Sequence, residues 1–125
     1  MVELVELAGE QILLCDTDGP IIDDERQATD LIGEAAWQGA SLLALPVARL
    51  GPRFFQLRSG LAGEITQKAV NYRLKLAIIG DISEQLAASN ALSAWVREAD
   101  RRTDLWFQPS LEDLAIALGR AGGRP

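Results

Sequence analysis

The chain has 125 residues, 48% of them hydrophobic and 24% charged, with a formal net charge of −6. That balance suits one compact domain with a real core and excludes a disordered chain. The excess of acid argues against duplex nucleic acid held by general phosphate attraction. There is no histidine and a single cysteine, Cys15, which removes Ser-His-Asp and Cys-His catalysis, the usual zinc sites and an internal disulfide.

VELVEL (2–7) and QILLC (11–15) are short apolar runs separated by Ala8-Gly9-Glu10, and they read as a hairpin. Cys15 closes the second run and is read as a core thiol, since a reactive one needs a base or cation beside it. Asp16 to Pro20 is a turn cluster. Asp24, with Gln27 three residues on, has the spacing of a capping box. Ala28, Leu31, Ile32, Ala35 and Ala36 then recur at helical spacing, which predicts a helix over 24–38 ended by Gly39. SLLALP (41–46) is a short buried strand.

Pro52 opens a helical turn over Arg53 to Leu57, with Phe54 and Phe55 as core anchors, and Ser59 is placed to cap the next helix. The apolar stripe of that helix is Leu61, Ala62, Ile65, Ala69 and Tyr72. LKLAIIG (74–80) is nearly continuous in apolar residues, as a strand covered on both faces should be. Ser83 to Ala88 is one helical turn; Ser89 or Asn90 caps a helix whose Leu92, Trp95, Val96 and Ala99 share a face. DLWFQ (104–108) is a strand, and Ser110 with Asp113 caps a last helix stopped by Gly119.

The order β-β-α-β-α-β-α-β-α implies an α/β fold: a mainly parallel five-stranded sheet with an N-terminal hairpin and about four helices. One domain over 1–119 and a flexible tail over 120–125 are expected. Ligand or partner sites in such sheets gather at the strand carboxyl ends, here Pro46 to Ser59, Gly80-Asp81 and Gln108-Pro109. No apolar run approaches the ~20 residues of a membrane span. The start MVELVELAGEQ lacks the basic and apolar regions of a signal peptide. A cytoplasmic protein with no membrane or nucleic-acid partner is expected.

The paired Phe at 54–55, Gly60, Ala62-Gly63-Glu64-Ile65, Gln67-Lys68, Asn71-Tyr72, Leu76-Ala77-Ile78 and Gly80-Asp81 form a specific block. With Asp30-Leu31-Ile32 and Phe107, it resembles a bacterial family of uncharacterised proteins, the domain of unknown function 4180, over most of residues 10–118. That resemblance implies no known activity. More weakly, the element order is similar to STAS domains, the sulfate-transporter and anti-sigma-factor-antagonist modules. Ser59-Gly60-Leu61 falls where those carry an Asp-Ser-Ser-Gly-Leu motif. Aligned on Gly60, the phosphorylated serine of the antagonists falls on Arg58 and the aspartate on Leu57. A simple phospho-switch does not carry over.

Glu64, Gln67, Lys68 and Asn71 lie at i, i+3, i+4 and i+7 and form one polar stripe. Glu64 ahead of Lys68 has the orientation of a surface ion pair worth ~0.3–0.5 kcal/mol. The stripe is read as a binding face or as the wet side of an ordinary helix. Arg58, Ser59 and Gly60 offer a helix start that attracts a small anion, phosphorylated or nucleotide-like, with Arg53 near. The P-loop ending and the dinucleotide fingerprint are absent, so Gly60 and Gly63 are read as packing glycines. Asp81 follows the best strand, as a turn cap, a general base or a metal ligand at the strand end. Asp16, Asp18, Asp23 and Asp24 lack EF-hand spacing and serve turns and caps. Arg97, Arg101 and Arg102 suit a helix end. Trp95 is core, Trp37 has the place of an interface indole, and Trp106 and Phe107 point to opposite faces.

The functional expectation is a non-enzymatic regulatory or protein-interaction module that binds an unidentified protein or a second copy of itself. The alternative is a small-anion binder at the helix start near Ser59, and a reaction using Glu64, Lys68 and Asp81 ranks last. No metal or cofactor is expected.

Overall fold

The computed structural model describes residues 2–122. Two strands, β1 (Val2–Leu7) and β2 (Glu10–Cys15), form the antiparallel hairpin. Its two-residue loop holds both Ala8 (φ 50) and Gly9 (φ 83) in the left-handed region, as a type I′ turn requires. β3 (Leu42–Pro46), β4 (Lys75–Ile79) and β5 (Leu105–Gln108) follow in parallel, and the sheet order is β1-β2-β3-β4-β5. Every strand is hydrogen-bonded to its neighbour in sequence, so each crossover steps one strand in the same direction.

Right-handed crossovers in that order put their helices on one face of the sheet. They are α1 (Glu25–Trp37), α2 (Pro52–Phe55), α3 (Leu61–Asn71), α4 (Ser83–Ala88) and α5 (Asn90–Ala99). Ile32, Phe54, Ile65 and Leu92 from these helices pack with Leu13, Leu43, Leu45, Leu76 and Ile78 of the strands. α6 (Leu111–Gly122) crosses to the other face, where Leu114 and Leu118 meet Ile12, Leu42, Ala44 and Ala77. β3 is buried at every position, as its central place demands.

There are six α-helices rather than about four, because the turns at Pro52–Phe55 and Ser83–Ala88 close as short helices. α6 also runs through Gly119, where a stop was expected. A glycine ends a helix by taking a left-handed conformation, and Gly119 has no positive φ. α6 thus takes in residues 120–122 of the expected tail, 120–125, and residues 123–125 lie outside the described residues.

The capping of α1 is as predicted at Asp24, whose Oδ1 accepts from Gln27 N at 2.8 Å. The reciprocal half is displaced by one residue, since Gln27 Oε1 accepts from Asp23 N at 3.0 Å. Cys15 is core, 2% exposed, and burial pushes its thiol pKa up. At the carboxyl end of β2, buried Arg49 pins the turn 16–20. Its Nε donates to Pro20 O at 2.8 Å and its Nη1 to Asp16 O at 3.0 Å. Gly80, ending β4, has φ 139, and a Cβ there would lie 2.9 Å from Val47 Cγ2. Only glycine admits both that backbone and that contact. No helix among the described residues is long and apolar enough to cross a membrane.

Candidate functional site

The segment between β3 and α3 is the longest at the strand carboxyl ends. A 3-10 turn (Val47–Arg49), α2 and a second 3-10 turn (Leu57–Ser59) lead into α3. Phe54 and Phe55 anchor it, edge to face at 5.3 Å, and Phe54 faces Trp95 at 6.2 Å. Trp95 continues to Phe107 at 5.5 Å, so this aromatic row joins α2, α5 and β5.

Ser59 is not the N-cap of α3. That position belongs to Gly60, at φ 81, which has no side chain to cap with. The Ser59 hydroxyl donates to Arg53 O at 2.7 Å and accepts from Leu61 N at 3.2 Å. It ties α2 to the start of α3 and has spent its proton doing so. Packing does not explain the two glycines. A Cβ on Gly63 would meet nothing within 4 Å, and one on Gly60 would meet only Glu64 Oε1, at 3.8 Å. Gly60 is required by its left-handed backbone.

Glu64, Gln67, Lys68 and Asn71 do share one face of α3, with Glu25 of α1 beside them, around an open depression of about 360 Å³. The expected Glu64–Lys68 pair is not formed. Lys68 Nζ lies 3.8 Å from Glu25 Oε1 on the neighbouring helix. A partner on a packed helix has displaced the local one. Gln67 Nε2 donates to Asn71 Oδ1 at 3.0 Å, so the two amides are aligned by each other.

Asp81 stands apart from this stripe. It lines a second cleft, of about 290 Å³, with Ile82, Phe107 and Gln108 at the ends of β4 and β5. Its Oδ1 accepts from both Ser83 N, at 2.9 Å, and Ser83 Oγ. The Ser83 hydroxyl, helped by the Ser83 N–H, holds the Asp81 carboxyl below the usual carboxylate range. This is the turn-capping role, and it leaves the group poorly suited to take up a proton.

Arg58 lines a third space, of about 690 Å³. One wall comes from α2 and the turn after it, with Leu50, Phe55 and Leu57. The other comes from α4 and the start of α5, with Gln85 and Ala91. Sequence reasoning marked the first wall as a strand-end segment but missed the second. Residues 85–91 are alanine-rich and carry no motif.

The remaining candidates lie on other surfaces. Arg102 forks onto Asp104 through two bonds of 2.7 Å, while Arg97 and Arg101 line an open depression at the end of α5. Trp106 Nε1 donates to Thr103 O at 3.0 Å, and Trp106 and Phe107 belong to opposite faces of the sheet. Trp37 is 86% exposed.

The architecture defines an α/β domain with a mostly parallel sheet, whose marked polar residues are divided among three separate surfaces. The chain belongs to the family described as a domain of unknown function, DUF4180, whose model matches residues 7–118. No curated protein and no solved structure matches it.

Proposed function

We propose that this protein is a non-enzymatic, STAS-like regulatory or protein-interaction module of the cytoplasm that works through the polar face of α3. One observation carries the reading. Glu64, Gln67, Lys68 and Asn71 line one open, hydrogen-bonding depression, and Asp81 lines a different one. An enzyme needs its acid, base and substrate within hydrogen-bond reach. A partner surface needs aligned donors and acceptors over an accessible area, as the Gln67–Asn71 pair provides. The STAS likeness rests on element order alone. The partner is another protein or a second copy of this chain.

The competing site, an anion at the start of α3, is weakened by two neighbours. The Ser59 hydroxyl is committed on both sides, and Glu64 already supplies the negative charge of the first turn. The test is a double substitution, Glu64→Arg with Lys68→Glu, which keeps the helix and reverses its charges. Proteins retained from the source cell, and self-association by sedimentation, are compared between wild type and variant. Loss of a retained partner or of the dimer, with unchanged melting, supports the α3 face. The same profile from both proteins removes it.

A further inference from the structure

We propose that the cleft between α2 and the α4–α5 corner is a binding site for a small amphipathic monocarboxylate: one carboxylate on an aromatic or aliphatic body. This does not rest on the α3 reading and concerns a different surface.

The position is where open parallel sheets bind ligands, since both walls are built from segments that leave the carboxyl ends of β3 and β4. The volume, about 690 Å³, falls in the range of roughly 300–1,000 Å³ typical of small-molecule sites. Leu50 and Phe55 are already buried by their own packing and present a preformed apolar wall, with Leu57 beside them.

The charge then selects the ligand. Among the described residues, Arg58 is the only charged one lining the cleft, and it has no hydrogen-bond or ion-pair partner there. In a chain of net charge −6, this places an uncommitted guanidinium on the wall of a cleft whose other described lining residues are apolar or neutral. Its planar fork matches a carboxylate through two parallel bonds. The α5 helix opens onto the same cleft through Ala91. Ser89 Oγ accepts from Leu92 N at 3.1 Å, which leaves the Asn90 and Ala91 N–H groups without a cap. These add a partial positive charge on the wall across from Arg58. A di- or triphosphate would bring more negative charge than one guanidinium answers, against walls that are mostly apolar. A single carboxylate with an apolar body fits both parts.

The test uses the full chain, labelled with ¹⁵N and titrated with octanoate and with indole-3-acetate. The uncharged counterparts, octanol and indole-3-acetamide, are titrated in parallel. Saturable amide shifts at Phe55, Arg58, Gln85 and Ala91 are expected for the acids, with binding at least about tenfold weaker for the neutral compounds. Arg58→Gln should bring the acids down to the affinity of the neutral compounds, without changing the melting temperature. Ala91→Trp, which fills the cleft from the α5 side, should abolish binding of all four while distant amides stay in place. The absence of saturable shifts, shifts spread over other surfaces, or undiminished acid affinity in Arg58→Gln would each overturn the assignment.

Discussion

Lys75 Nζ lies 2.9 Å from Glu10 Oε2, which joins the first residue of β4 to the first residue of β2 across the intervening strand. Ser41, just ahead of β3, donates its hydroxyl to Glu10 Oε1 at 2.8 Å and completes a clasp over the amino ends of three parallel strands. Burial pushes the Glu10 carboxyl up, but the bonds from Lys75 and Ser41 and the Lys75 charge outweigh it, so the net shift is downward. A carboxyl depressed on folding stabilises the native state above its unfolded value, near 4.5. That contribution is lost as pH falls through the lower folded value. Both partners are partly exposed, so Lys75→Met should cost about 1 kcal/mol at neutral pH in urea denaturation. The difference from wild type should shrink toward zero as the pH falls below the ordinary glutamate value and through the lowered folded one. An equal deficit at both pH values would show that the loss is one of packing, not of charge.

Two non-glycine residues sit in the left-handed region, Ala8 at φ 50 and Arg73 at φ 58. Arg73 follows α3, where Leu74 N reaches back to Ala69 O at 2.9 Å, the closing bond of a Schellman motif. A side chain in that conformation costs about 1–2 kcal/mol, partly offset by the backbone entropy that glycine would lose. Ala8→Gly and Arg73→Gly should each raise stability by about 0.5–1 kcal/mol. Ala8 and Arg73 each lie two residues from one end of the Glu10–Lys75 pair, so any departure of the double variant from the sum in thermal unfolding reports coupling through that clasp.

Gly80→Ala should do the opposite. The backbone at φ 139 and the 2.9 Å approach to Val47 Cγ2 both penalise a Cβ. A loss of about 2–3 kcal/mol is expected. Adding Val47→Ala removes Cγ2 but leaves Val47 Cβ at 3.0 Å and the backbone as it was, so it should restore only part of the loss. Complete rescue by the second change would mean that the strained backbone contributes nothing.

Ser83→Ala removes the main donor to Asp81. The Asp81 carboxyl should then titrate higher, closer to an ordinary aspartate, when followed by carbon-detected NMR across the acid range. The Ser83 backbone bond remains, so the return should be incomplete. An unmoved titration would show that the backbone donor alone sets the value.

The sheet was readable because its patterns are long and consistent. LKLAIIG announces a strand covered on both faces, and β4 pairs along its whole length with β3. Asp24, Ser89 and Ser110 act as caps because capping is decided within four residues. The misreadings arise where a distant group wins. Lys68 turns from Glu64 to Glu25 because α1 packs beside α3. Arg73 takes the place of a glycine after α3, so no residue type flagged that turn. The cleft at Arg58 joins two segments almost thirty residues apart. Its far wall is Gln85, Ala88 and Ala91, and no local pattern there distinguishes a lining residue from an idle one.

The uneven covering of the sheet sets a timetable for synthesis. Domains generally fold amino end first as they leave the ribosome. Here β2 to β5 and the five helices of one face are all made before Leu111. Ile12, Leu42, Ala44 and Ala77 must then wait for Leu114 and Leu118, the helical residues that cover them among those described. A released chain that ends before residue 111 therefore has every strand of the sheet but one greasy side bare, and this is the state in which a chaperone has most to shield.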